Sequence, residues 1–301
     1  MKYDGMLKII FLGTSGSTPT KERSMPSVAI EKEGEIYLFD CGEGAQMQAM
    51  KYGVNISKIK AIFITHTHGD HIIGLAGLVR TMALNKNQKE LRIFVPMHEE
   101  QKILSLLTFD KALLDYPIII EGIKSGIVYK GDDFEVSAFK LNHRVPTFGY
   151  VFKERDKTRF IKEKCHKLGI KGTMFSVLMK NGSIKVKGRT VKLKEVTYMV
   201  KGRKIVYATD TRPTKSTENA AKDADILIHE TSYSFQLKKL AKERYHCTAK
   251  EAAMIAKKAK CKKLILFHPS ARYRDTAILV KEAKETFINS EMAKDGMRIT
   301  L

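Results

Sequence analysis

Nowhere in the chain does an apolar run approach the roughly 18 residues that a membrane-spanning helix needs. At the N-terminus the apolar core, Ile9–Leu12 behind Met1–Lys8, is too short for a secretory signal. A soluble, cytoplasmic protein without a membrane partner is expected. Cysteine is scarce: Cys41, Cys165, Cys247 and Cys261 are widely spaced and form no Cys-x-x-Cys pair, which argues against a disulfide framework or a zinc ribbon and predicts reduced thiols. With 7 prolines, 20 glycines and 43% apolar residues in 301, neither disorder nor collagen-like order is expected. The length suits one large domain, or a domain with an appendage. Tryptophan is absent, which decides nothing.

Negative charge is also short, with 33 Asp and Glu against 54 Lys and Arg and a formal net charge of +21. Such an excess predicts a polyanionic partner. It is uneven: Lys153–Lys204 holds 17 basic and 4 acidic residues, +13 in 52 positions. A solvated lysine-rich surface of the kind found in heat-adapted proteins is the competing reading.

Strand signals dominate the first third. Leu7–Leu12 is a continuous apolar run, Ser27–Glu31 alternates, Glu35–Phe39 stops at Asp40, and Ala61–Thr65 reads as another buried strand. Gly42–Tyr52 reads as a helix entered through Glu43, with Ala45, Met47 and Met50 available to face a core. Ile72–Leu84 and Glu99–Leu107 have helical spacing, Leu91–Val95 is a strand, and two strands flank Gly131-Asp132. The basic segment, punctuated by Gly169, Gly172, Gly182 and Gly188, has a β-like stretch near Ser183–Val200. Alternation then resumes with strands Lys204–Ala208, Asp225–Ile228 and Lys263–Phe267 and a helix Thr248–Lys260, whose Thr248 and Glu251 suit a capping box. The pattern is α/β, and no 20–50-residue self-similarity marks a repeat architecture.

Chemistry concentrates in His66-Thr67-His68-Gly69-Asp70-His71, three histidines and an aspartate at the mouth of a buried strand. Imidazole nitrogen and carboxylate oxygen are ligands of borderline divalent metals. His66 and His68 project together from an extended segment while Asp70 and His71 open the next helix, so two neighbouring sites follow. Further ligands belong where other strands end, since such ends gather on one rim of a sheet. His143, Asp210, His268 and His229 all qualify, whereas His98 and His166 read as surface residues.

The spacing of His66, His68, Asp70, His71, His143, Asp210 and His268 resembles the metallo-β-lactamase superfamily. Phe11-Leu12-Gly13-Thr14-Ser15, Asp40-Cys41-Gly42-Glu43-Gly44, Ala208-Thr209-Asp210-Thr211-Arg212-Pro213, His229-Glu230-Thr231, His246-Cys247-Thr248 and Ser270-Ala271-Arg272-Tyr273 narrow it. Over nearly its whole length the chain is similar to the tRNA 3′-processing endonucleases of the tRNase Z family. That resemblance implies a four-layer αββα sandwich over 1–301 with an inserted basic RNA-binding arm at about 153–195. It implies two zinc ions per subunit: His66, His68 and His143 on one, Asp70, His71 and His268 on the other, Asp210 bridging. His246 and Glu230 would act near the leaving group, and His229 would be structural. The family's His-Glu-Ala-Thr is here His229-Glu230-Thr231-Ser232, its His-Ser-Thr is His246-Cys247-Thr248, and its usual Gly-Pro motif in the arm is replaced by Leu168-Gly169-Ile170-Lys171-Gly172-Thr173.

The implied reaction is hydrolysis of precursor tRNA, leaving a tRNA 3′-hydroxyl and a 5′-phosphorylated trailer, with Asp70 holding the attacking water and His246 protonating the departing oxygen. Lys162, Lys164, Lys167, Lys171 and Arg272 are the RNA-binding candidates. A homodimer is implied, the arm of one subunit reaching tRNA bound at the other. Metal ligands alone do not choose the substrate. A phosphodiesterase for small or cyclic phosphodiesters would leave the basic arm unexplained, and a non-catalytic RNA-binding protein would be favoured by missing ligands, of which there are none.

Overall fold

Strands whose sequence is apolar without alternation are covered on both faces. In a computed structural model of the chain, which describes residues 5–86, 89–108 and 115–301, Leu7, Ile9 and Phe11 of strand Leu7–Gly13 face one buried cluster while Ile10 and Leu12 face another. The first cluster lies between two sheets and draws Phe39, Phe63 and Phe94 from one, Phe152, Tyr207 and Phe267 from the other. The second packs Leu38, Ile62 and Ile93 against Ala49, Leu78 and Ile103 of helices Ala45–Lys51, Gly74–Leu84 and Glu100–Leu107. A third sets Val206, Leu227 and Leu264 against Ala252, Ala256 and Leu279 of helices Ala249–Lys258 and Ala277–Thr286. Helix, sheet, sheet, helix is the layer order of an αββα sandwich. Residues 1–4, which open the segment weighed as a secretory signal, lie outside the described residues.

Among the described residues each large sheet has seven strands. In the first, Glu35–Phe39, Ile59–Phe63 and Leu91–Pro96 run parallel, with Phe39 opposite Phe63 and Phe63 opposite Phe94. Their rings stack at 5.1 and 5.0 Å between centroids, which adds about 0.5–1.5 kcal/mol per pair to the area they bury. In the second, Lys204–Ala208, Ile226–Glu230 and Lys263–Phe267 are parallel, Ala208 opposite His229 and Glu230 opposite Phe267. Parallel strands deliver their last residues to one rim of a sheet, where side chains escape the pleat and loops take over.

The helix after Asp40 differs from expectation. Gly44, at φ +76°, turns the chain so that the helix starts at Ala45, and Ala45, Gln48 and Ala49 go inward. Met47 and Met50 are 67% and 63% exposed. The capping box forms: Thr248 Oγ1 accepts from Glu251 N–H, and Glu251 Oε2 accepts from Thr248 N–H at 2.9 Å.

By its contacts the chain divides into two compact units, Met1–Phe152 with Lys204–Leu301, and Lys153–Arg203. The second unit runs past residue 195 because Thr197–Val200 pairs antiparallel with Lys157–Phe160. A hairpin joins Ser183–Val186 to Arg189–Lys192, and a helical turn at Leu193–Val196 interrupts the β-like stretch near Ser183–Val200. Two helices that the sequence did not signal, Lys162–Leu168 and Met174–Asn181, end on Gly169 and Gly182 in the left-handed region, where glycine carries no Cβ penalty. Cys165, Ile170, Leu178, Val186, Val191 and Val196 form a core of its own. All four cysteines of the chain are free and buried.

Candidate metal centre

The His66–His71 motif starts just past strand Ile59–Phe63 and closes in the helical turn Gly69–Ile72. His66 Nε2 lies 2.9 Å from His68 Nδ1. His143 follows strand Phe134–Lys140 and donates Nδ1–H to the Tyr245 carbonyl at 3.3 Å, which leaves Nε2 facing Asp210 Oδ2 at 3.9 Å. Asp210 follows strand Lys204–Ala208 and lies between the groups: Oδ2 is 3.6 Å from His66 Nε2, and Oδ1 is 3.6 Å from His71 Nε2 and 3.1 Å from His268 Nε2. Asp70 Oδ2 stands 3.5 Å from His71 Nε2 and 3.6 Å from His268 Nε2. Ligand atoms of His66, His68, His143 and Asp210 all fall within 4.8 Å of one another, as do those of Asp70, His71 and His268.

Local backbone and glycine fix these positions. Asp210 and His268 sit at φ +52° and +57°, two residues and one residue beyond their strands, in the left-handed region that few residues other than glycine adopt. The bend swings each ligand off the sheet toward the rim, and such strain is typical of functional sites. Gly16 lies against His268: a Cβ there would be 2.6 Å from its Nδ1. Asp40, also at φ +56°, has a buried carboxylate that accepts from Thr65 N–H at 2.8 Å, His71 Nδ1–H at 2.8 Å and Tyr207 O–H at 2.9 Å. It thereby fixes the His71 tautomer and presents Nε2 to the cluster, the usual outer partner of a metal-binding imidazole. The sequence marks Asp40 only as part of a motif, because its donors come from two distant segments, the one around His66–His71 and the strand that carries Tyr207.

The donor set fits divalent cations. Nε2 of His71, His143 and His268 is buried with no hydrogen-bond partner among the described residues, a costly arrangement for a polar atom unless a ligand completes it. Burial, with the neighbouring His71 imidazole, holds His66 well below its ordinary pKa, and burial lowers His143, so both offer neutral lone pairs. Burial alone would raise the Asp210 carboxyl, but His268, His71 and His66 pull it well below the carboxylate range. Nitrogen and oxygen donors in two adjoining groups joined by one carboxylate are those of a di-zinc centre.

Beside the clusters, His246 Nδ1 donates to Glu230 Oε1 at 3.0 Å. Glu230 is wholly buried and also accepts from Thr211 N–H at 2.5 Å, Cys247 N–H at 3.0 Å and Ser232 O–H at 2.7 Å. Burial would lower His246, yet the Glu230 carboxylate overrides it and raises the pKa to about 9. Arg212 bonds the His246 carbonyl and pairs with Glu251 at 2.6 Å, tying this loop to the capped helix. His229 belongs to neither ligand group; its Nδ1 bonds the Glu230 carbonyl at 2.8 Å on the opposite face of the strand. His98 and His166 are exposed.

A cleft of about 170 Å³ opens over the clusters, lined by Ser17, His68, Asp70, His143, Asp210, His246 and two arginines, Arg144 and Arg244. The arginines and Ser17, whose N–H donates to Asp70 Oδ2 at 3.0 Å, carried no signal in sequence, since each looks like any loop residue. Arg272 is exposed, its guanidinium 4.9 Å from the Tyr233 ring, itself 6.0 Å from the His246 ring. Lys162, Lys164 and Lys167 lie on helix Lys162–Leu168 of the second unit, with Lys171 just beyond it, and all four are exposed.

Two facing sheets between helical layers, with histidines and aspartates at the strand ends, define a hydrolase of the metallo-β-lactamase fold. The metallo-β-lactamase fold protein YhfI of Bacillus subtilis is similar at a TM-score of 0.72 and 18% identity, over 99% of this chain and 100% of that one. The chain is also similar to human tRNase Z, short form, at a TM-score of 0.71 and 27% identity, over 97% and 98% of the two chains. A ribonuclease Z of Archaeoglobus fulgidus is 44% identical over 299 residues, covering 98% of this chain and 97% of its relative. The chain belongs to the ribonuclease Z family, and its residues 7–161 match the family profile described as Anti-Pycsar protein Apyc1. It is a phosphodiester hydrolase of the ribonuclease Z type with a donor set for two zinc ions. Among the described residues no helix is long and apolar enough to cross a membrane.

Proposed function

We propose that this enzyme removes the 3′ trailer from precursor tRNA by endonucleolytic hydrolysis, leaving a tRNA 3′-hydroxyl and a 5′-phosphorylated trailer. The observation that carries this reading is the His246–Glu230 pair beside two His/Asp ligand groups in a chain similar over its length to a tRNase Z. His66, His68 and His143 would hold one zinc and Asp70, His71 and His268 the other, with the Asp210 carboxylate placed between the two groups. When bound, the two cations relieve charge on the phosphoryl oxygens and make water a nucleophile near neutral pH. Asp70, its carboxyl drawn far down by His71 against the opposing effect of burial, stays ionised and orients the attacking water. His246 holds its proton at neutral pH because Glu230 stabilises the imidazolium, and it delivers that proton to the departing 3′-oxygen. Arg272 and the exposed lysines 162, 164, 167 and 171 meet phosphates elsewhere on the RNA. The enzyme works in the cytoplasm as a homodimer, a state that rests on family resemblance.

The test is incubation of the purified protein with a trailer-bearing precursor tRNA, a small chromogenic phosphodiester and a cyclic nucleotide, with mapping of both RNA ends. A single cut at the trailer junction with a 3′-hydroxyl upstream and a 5′-phosphate downstream is expected. Rapid turnover of the small diesters with intact precursor tRNA would replace this reading by that of a small-molecule phosphodiesterase.

A further inference from the structure

Two guanidinium groups line the cleft without belonging to the ligand groups or to the His246–Glu230 pair. Arg144 follows the ligand His143 directly, and its Nη2 donates to the Glu243 carbonyl at 2.9 Å while its guanidinium lies 5.7 Å from the Tyr245 ring. Arg244 comes from that same turn, two residues before His246, and both arginines are exposed at the cleft. The turn is held firmly: Tyr245, at φ +61°, accepts from His143 through its carbonyl. Arg144, Arg244 and His246 therefore form one wall, and Ser17 and Asp70, joined by a hydrogen bond, stand together on the first-sheet side.

The carboxylates lining the cleft, Asp70 and Asp210, both belong to ligand groups. With these engaged by cations, the charge left to a substrate along the His246 wall is that of two arginines, and paired guanidiniums are suited to phosphate. Resting on the proposed cleavage, we infer that Arg144 and Arg244 bind the phosphate one nucleotide 5′ of the cut, on the tRNA side. The direction follows from chemistry. His246 protonates the departing 3′-oxygen, so the ribose bearing that oxygen lies against the His246 wall, and the next anion along the same wall is that ribose's own 5′-phosphate. The pair thereby fixes which side of the scissile phosphate the acid faces, and it recognises backbone rather than base, as an enzyme must that accepts tRNAs with different terminal bases.

Precursor tRNAs carrying one neutral methylphosphonate, either one nucleotide upstream or one nucleotide downstream of the scissile phosphate, test this. In the wild-type enzyme the upstream replacement should lower kcat/KM about ten- to hundred-fold, the range for a lost charge-assisted contact. An Arg144→Ala/Arg244→Ala variant should show that loss already with unmodified RNA and no further loss with the upstream methylphosphonate, whereas the downstream replacement should cost both enzymes the same factor. Arg144→Lys/Arg244→Lys should recover part of the upstream sensitivity, and zinc content of each variant checks that the His143 neighbourhood is intact. Equal upstream sensitivity in wild type and the alanine variant would overturn the assignment, as would a downstream effect that vanishes in its place. Wild type that leaves the unmodified precursor uncut overturns the cleavage reading itself, a result distinct from either.

Discussion

The two units of this chain handle charge in opposite ways. Lys153–Arg203 carries 16 Lys and Arg against 4 Asp and Glu, +12 in 51 residues, while the other 250 residues share +9. In the larger unit the ionisable groups that matter are buried: His66, His71 and Glu230 are 0% exposed, His268 1% and Asp210 3%. Each is tolerable there because a neighbour of opposite sign or a hydrogen bond compensates its desolvation. The smaller unit buries six apolar residues and sends its lysines into water, where like charges repel weakly and long side chains stay mobile. Chemistry that needs a fixed pKa is placed where the dielectric is low. Attraction to a long polyanion needs only net charge within a Debye length, about 8 Å at physiological salt, and can sit on a small module.

If this division of labour is real, damage to each unit should leave a different signature. The largest effect is expected from Asp210→Ala: cleavage of precursor tRNA and of a small phosphodiester should both vanish and zinc content fall below two per chain, since its two oxygens reach histidines of both groups. Full zinc and full activity in that variant would sink the ligand assignment. Next comes His246→Ala, which should keep zinc and RNA affinity yet slow single-turnover cleavage by roughly 10²–10⁴-fold. Because Glu230 raises His246 to about 9, the acid form persists through neutral pH, and the wild-type single-turnover rate should decline only as pH passes about 9. Glu230→Gln should bring that decline to lower pH; an unmoved profile would remove His246 as proton donor.

A smaller effect is expected of Asp40→Asn, which retains the shape but weakens the acceptor that orients His71. Zinc affinity should fall about 10–100-fold, the range for such outer partners, measurable by competition with a chelator. The smallest belongs to the second unit. Replacing Lys162, Lys164, Lys167 and Lys171 by alanine should lower precursor-tRNA affinity about tenfold at moderate salt and flatten the log–log salt slope by roughly 0.9 per lost contact. Hydrolysis of a small phosphodiester should not change. Unaltered slopes in filter binding would assign those lysines to plain solvation, whatever the metal centre does.

Sequence carried the site further than it carried the helices around it. The His66–His71 spacing and the rule that ligands stand at strand ends drew His143, Asp210 and His268 into one candidate set; Asp210 and His268 meet in the structure because their strands run parallel and share a rim, and His143 faces Asp210. The same rule admitted His229, since periodicity along Ile226–Glu230 does not say which face of the strand meets the cleft. Apolar composition makes Met47 and Met50 available to a core along with Ala45, but a left-handed Gly44 sets the helix phase in favour of Ala45, Gln48 and Ala49. In the second unit helix Lys162–Leu168 is lysine-rich with one buried residue, and helix Met174–Asn181 is apolar nearly all round yet also buries one, so neither left a clear stripe. Asp40, Ser17, Arg144 and Arg244 act through contacts between distant segments, and no local pattern announces such contacts.

The buried cysteines add a way to watch the protein move. Burial raises the thiol pKa of Cys41, Cys165 and Cys247, and that of Cys261 to about 11, so the folded chain offers alkylating reagents almost no thiolate. Cys165 lies in the smaller unit's core and the other three in the larger unit. Modification therefore requires local opening, and the order in which the four sulfurs react ranks the opening free energies of the two units without any label being introduced. Fast capture of Cys165 beside slow capture of Cys41, Cys247 and Cys261 would mean that the basic module breathes on its own clock while the catalytic framework stays shut.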